Sequence, residues 1–210
     1  MNAITARKHR TRRTPEGGTD RASDKGTQQA PLDTRHLTLT TGARRVLAAL
    51  RIGFGITFLW AFFDKLLALG FSTGRDETGA VDRFGDAAWI NGSSPTEGFL
   101  SFGSSGPLAG FYQSIAGAAW ADWLFMLGLL GIGLALLLGV GMRIAVAAGA
   151  VLYVMMWSVA LPPENNPIID DHLLSALALV ALALTHSGET WGLGRRWTST
   201  RLVRENPALA

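Results

Sequence analysis

Two short clusters of ionisable residues interrupt otherwise apolar stretches of this chain: Asp64-Lys65, and Asp170-Asp171-His172. A charge near the centre of a bilayer costs roughly 2.5–3.5 kcal/mol, so ionisable groups inside such stretches are paired or functional. A histidine exchanges protons near neutral pH, and a carboxylate beside it tunes it. That chemistry makes His172 and Asp171 candidate catalytic groups, with Lys65 a cation able to hold an anion or a quinone carbonyl. Asp64, Trp157 and Asn166 are candidate substrate-binding groups at the same end of the molecule. Each has a structural alternative. Pro167, Asp170 and Asp171 suit a helix N-terminus, which favours a fixed φ and negative charge. Lys65 can reach the headgroups or pair with an acid across the helices. Arg51, near the other end of its apolar stretch, reads as an anchor whose long side chain snorkels to the interface. His186 reads as structural, and His9 and His36 as solvated.

Other chemistries are poorly supplied. The chain contains no cysteine, which excludes disulfides, CxxC redox pairs, thiolate metal sites and a cysteine nucleophile. One histidine among carboxylates matches no standard metal-ligand spacing, and there is no HExxH. Neither a metal nor a flavin is expected. Gly192-Leu193-Gly194 follows no strand, so it is no nucleotide fingerprint. Redox work would need a quinone-like substrate or a partner protein.

The elements that must position these groups are long apolar runs. They cover about 46–69, 123–140, 144–161 and 168–185, separated by Gly141-Met142-Arg143 and by PPENNP. Each has a length that crosses a hydrocarbon core at about 1.5 Å per residue. The expected fold class is therefore all-α, an integral membrane four-helix bundle. Of 210 residues, 48% are hydrophobic and only 17% charged, against about a quarter charged in soluble domains. A soluble bundle would also show polar helix faces, and the second and third runs show almost none.

Charge placement predicts topology. Residues 1–43 read as a disordered basic tail, with Arg7, Lys8, Arg10, Arg12, Arg13, Arg21, Lys25 and Arg35. No apolar run with a cleavage site follows those charges, so the tail is not a secretory signal. The orientation rule is preferred over a nucleic-acid arm, and no nucleic acid is expected as partner. Arg44, Arg45, Arg51, Arg143, Arg195, Arg196, Arg201 and Arg204 fall on the tail's side. Acids dominate the other side, with only Arg75 and Arg83 opposing them. Both termini are expected in the cytoplasm, in a bacterial plasma membrane, with residues 198–210 a cytoplasmic C-terminal tail. The long connection from Gly70 to about Asp122 lies outside and reads as an aromatic-rich lid. Trp191 and Trp197 beside Arg195 and Arg196 read as an inner interfacial anchor. Gly128, Gly131, Gly133, Gly139, Gly141 and the Ala145-xxx-Gly149 pair read as helix contacts.

These segments, taken in order, resemble the DoxX/DoxD family of small four-helix bacterial membrane proteins. The resemblance is carried by RIGFGITFLWAFFDKL, WINGSSPTEGFLSFGSSGPLAGFY, LLGIGLALLLGVGMRIA and ENNPIIDDHLL, and covers 44–197. The long outer loop and the C-terminal WGLGRRW resemble actinobacterial members. The resemblance implies a membrane redox protein; DoxD-type members oxidise thiosulfate to tetrathionate and pass electrons to quinone, and others are connected with thiol and oxidative-stress systems. It carries no settled set of catalytic residues. Quinone is thus an expected substrate, and the lipid bilayer and soluble redox proteins expected partners. Thiosulfate is a dianion, and the acids near the outer end oppose it. Two rival readings remain, a scaffold recruiting soluble redox enzymes through its basic tails and a small-solute transporter using Asp64 and Lys65.

Overall fold

A computed structural model of the chain describes residues 39–163, 166–206 and 209. The chain divides between Thr38 and Leu39, and the described residues belong to the second unit. The expected basic tail lies outside them up to Thr38. Its last residues, 41–43, form instead the first turn of α1 (Thr41–Leu67), because Thr40 Oγ1 accepts the Ala43 N–H at 3.2 Å and starts the helix early. Two short helices follow in the long loop, α2 (Glu97–Phe102) and α3 (Ala109–Ile115). Then come α4 (Ala119–Leu138), α5 (Met142–Val159) and α6 (Asp171–Leu184), and finally α7 (Gly194–Thr198) and α8 (Arg201–Glu205).

Three of these helices, α1, α4 and α5, are long and apolar enough to cross a membrane. The apolar α6 has 14 residues, about 21 Å at 1.5 Å per residue against a hydrocarbon core of about 30 Å. It starts later than the run 168–185 because polar side chains take the preceding backbone out of the helix. Asn166 Oδ1 accepts the N–H groups of Ile168 and Ile169, and Asp170 Oδ1 accepts that of Leu173 as N-cap.

The helices pack α1 on α4, α4 on α5, α5 on α6, and α6 back on α1. Their shared core includes Phe58, Phe62, Met126, Leu129, Ile132, Leu136, Val146, Leu179 and Leu182. Large apolar side chains also point outward, among them Leu124, Leu127, Leu134, Ile144, Val151, Leu174 and Leu177. Such a surface fits lipid contact.

Glycine contacts divide sharply. A Cβ on Gly55 would lie 2.8 Å from Leu137 N, one on Gly133 2.8 Å from Leu59 Cγ, and one on Gly149 2.8 Å from Leu179 Cδ1. These three glycines let the backbones approach. Gly128 and Gly131, expected at the same kind of contact, have open space where a Cβ would go. Gly55→Ala therefore costs about 1–3 kcal/mol through overpacking against backbone that cannot yield. Gly131→Ala gains about 0.5–1 kcal/mol from helix propensity. Thermal unfolding of the two variants in one detergent checks the opposite signs.

Candidate functional site

At the end of α1 the chain turns back through Ala68, in the left-handed region at φ 50°. Asp64, 1% exposed, organises that turn. Its carboxylate accepts Phe71 N–H at 3.1 Å, Ser72 N–H at 2.9 Å and Ser72 Oγ–H at 2.7 Å. Lys65 Nζ lies 3.1 Å from the same Ser72 Oγ and 6.0 Å from the centre of the Phe125 ring. Asp64 thus holds the loop through both carboxylate oxygens.

The second group lies at the head of α6. His172 Nδ1 is 2.7 Å from Asp170 Oδ2, while Asp170 Oδ1 caps the helix. The carboxylate beside the histidine is therefore Asp170, and the expected Asp171 is exposed. The reason is helical geometry: an N-cap side chain folds back over the first turn, whereas the next residue points out from it. The Tyr153 ring stands 6.2 Å from the His172 ring, and its hydroxyl bonds Ser175. Tyr153 also meets Phe58 at 5.3 Å and Phe54 at 6.2 Å. Trp157 Nε1 donates to Ile168 O at 3.0 Å. Trp157 and Asn166 both hold the turn that leads into α6.

The two groups were expected at one depth. His172 reaches α1 through Tyr153 at Phe54 and Phe58, six to ten residues before Asp64, or about 9–15 Å along the helix. What the His172 group offers chemically is an imidazole paired with a carboxylate beside a tyrosine ring.

Three pins fix the long loop over this end. Asp122, 7% exposed at the head of α4, accepts Ser94 Oγ–H at 2.7 Å, Thr96 Oγ1–H at 2.6 Å and Thr96 N–H at 3.3 Å. Tyr112 Oη lies 2.5 Å from Ser158 Oγ, and Ser105 N–H donates to Val159 O at 2.8 Å. Sequence reasoning missed Asp122 and Tyr153. An acid at the edge of an apolar run was the available signal for the first; the second has none without its neighbours.

Further out, an open cleft of about 260 Å³ runs beside Arg75, Asp76 and Asp82. It lies in the loop's charged part, apart from the His172 group. The Thr78 hydroxyl at 2.7 Å, with backbone amides of Ala80 and Thr78 at 2.9 Å, holds Asp76 below the usual carboxylate range. The stabilisation of this turn is present above the unfolded value of about 3.9 and is lost as pH falls through the lower folded value. A carboxyl-carbon NMR titration should give Asp76 a midpoint below about 3.9. A midpoint at or above that value would show the turn does not hold it.

At the opposite end Arg51 is fully buried, which overturns its reading as a snorkelling anchor. Its guanidinium donates to Leu136 O, to Leu137 O at 3.0 Å, and to Thr190 O and Trp191 O at 3.2 Å each. Nearby, Trp197 Nε1 donates to Leu209 O at 2.6 Å, and Trp191 is exposed.

Among the described residues no three His, Asp or Glu side chains converge to hold a metal ion. No family model, curated protein or solved structure matches the chain.

Proposed function

We propose that the chain is a DoxX-type membrane protein, with α1, α4, α5 and α6 crossing a bacterial plasma membrane as a four-helix bundle. In this reading both termini are cytoplasmic, and the protein passes electrons from a small sulfur or thiol donor, thiosulfate among them, to quinone. The observation that carries the redox reading is the His172–Asp170 pair set against Tyr153, Phe54 and Phe58. Reducing a quinone to a quinol takes up two electrons and two protons. The imidazole supplies or relays a proton, Asp170 holds and orients it, and the Tyr153 ring beside it offers a flat contact for the quinone. Two thiosulfates joining as tetrathionate release the two electrons. Lys65, at the outer rim, attracts an anionic donor.

The order and spacing of the motifs in 44–197 support the family, and the outward-facing apolar side chains of α1, α4 and α5 support the bilayer. The test is titration of the purified protein with a short-chain quinone while following tryptophan fluorescence. Saturable quenching that weakens in His172→Gln is expected. Absence of quenching, with no quinone in the extracted lipid, would reject the quinone site and leave the scaffold reading to be tested by removing residues 1–40.

A further inference from the structure

The long loop is two unlike halves. Residues 70–88 carry six charged side chains, Arg75, Asp76, Glu77, Asp82, Arg83 and Asp86, whereas residues 89–118 carry one, Glu97. The second half is nevertheless far from buried. Its buried residues Leu100 and Tyr112 pack on Val159 at the end of α5. On the other side of the same short helices, Phe102 is 90% exposed, Phe111 59% and Phe99 44%. The Ser105 bonds to Val159 O and Leu161 O, and the Tyr112–Ser158 bond, fix this edge beside the last turn of α5. Immediately before that turn α5 exposes Val151, Val154 and Met155, and the head of α4 exposes Trp120 and Trp123.

We propose that residues 89–118 lie in the interfacial layer of the bilayer, with Phe99, Phe102 and Phe111 inserted among lipid chains, while residues 70–88 stay in water. The inference rests on the membrane-spanning reading above. Its occupant is lipid because the aromatic edge is pinned at the last turn of α5, directly after the exposed Val151, Val154 and Met155. Gly, Ser and aromatic residues with almost no charge also match the headgroup boundary, where amphipathic rings collect. In water, three exposed phenylalanines so close together would form an uncompensated apolar patch. The bilayer then anchors the lid, and the lid's pins at Asp122 and Tyr112 transmit that anchoring to the outer end of the helices.

Because the chain lacks cysteine, single nitroxide labels can be placed by Phe102→Cys, Phe111→Cys, Thr78→Cys and Val151→Cys in the full chain, in phosphatidylcholine vesicles. Collisions with oxygen, which partitions into lipid, are compared with collisions with a water-soluble nickel chelate. Labels at 102 and 111 are expected to favour oxygen severalfold over the label at 78, as the label at 151 does. A nickel-accessible label at 102 beside a lipid-embedded label at 151 would overturn the proposal and leave the membrane reading intact. Nickel access at 151 would sink both. Dipolar broadening at 102 that disappears on dilution with unlabelled protein would assign the edge to a second copy and overturn the lipid assignment.

Discussion

On the proposed redox reading, His172→Gln should lower donor-to-quinone turnover by about 10²-fold or more, the usual contribution of a positioned proton donor, while leaving the helix content unchanged. Glutamine can still hydrogen-bond Asp170, so the head of α6 keeps its local geometry, but it cannot carry a proton at neutral pH. Asp170 Oδ2 lies against Nδ1, which leaves Nε2 turned away from the carboxylate. Asp170→Asn separates the roles further. Asparagine is as good an N-cap as aspartate, so α6 still starts at the same residue, but the imidazolium loses its anionic partner and turnover falls by less. Asp171→Asn, at an exposed position, should leave turnover near the parent value. Membranes carrying each variant, assayed with a thiosulfate or thiol donor and a short-chain quinone, give the comparison. Full activity in His172→Gln would remove the proton role from this pair. Equal losses in Asp170→Asn and Asp171→Asn would mean that charge near the helix end, rather than the pairing, matters.

Arg51→Ala should destabilise the protein by about 2–5 kcal/mol, because it leaves a cavity and strips buried carbonyls of their donors. The guanidinium ties α1 to two other segments at the end of the helices opposite His172. Leu136 and Leu137 belong to the last turn of α4, whose carbonyls have no helical partner, and Thr190 and Trp191 follow the turn Ser187–Glu189 after α6. A cation is also favoured there by the partial negative charge of the α4 C-terminus. Glycines make the space: a Cβ on Gly139 or Gly192 would stand 3.0 or 3.1 Å from the guanidinium nitrogens. Arg51→Lys should recover little, because a lysine ammonium is a point charge and cannot reach four carbonyls with a planar fork. Denaturation in mixed detergent micelles measures both variants. A snorkelling arginine would tolerate lysine without loss, so parent-like stability of Arg51→Lys would reject the tie.

Tests of Arg51 and His172 probe opposite ends of the helices, and the two sites share no hydrogen-bond partner. Their effects should therefore separate: stability for the first, turnover for the second. A loss of turnover in Arg51→Ala at a temperature where it remains folded would instead indicate coupling along α1.

The long helices are legible in the chain because hydropathy over 18 or more residues and the breakers between them are local properties. The runs at 46–69, 123–140 and 144–161 became α1, α4 and α5 with ends shifted by two to five residues, where Thr40 and Gly139 set caps. Helix boundaries depend on single side chains, and the fourth run shows it: Asn166 and Asp170 hold 168–170 out of α6. Which polar group meets which depends instead on the folded path of the backbone. Arg51 looked like a residue reaching for water because its partners are backbone carbonyls some 85 to 140 positions away, and carbonyls leave no mark in a sequence. The partners of Asp64 are hidden in the same way, because the loop that bonds it returns only after Ala68 turns the chain. The acid beside His172 is Asp170 because capping geometry, not adjacency, chooses the partner. Gly55 and Gly131 are equally glycine in the chain, yet only one stands where another helix passes. Composition reports how much apolar surface a chain has; the path of the backbone decides where each buried charge finds its hydrogen bonds.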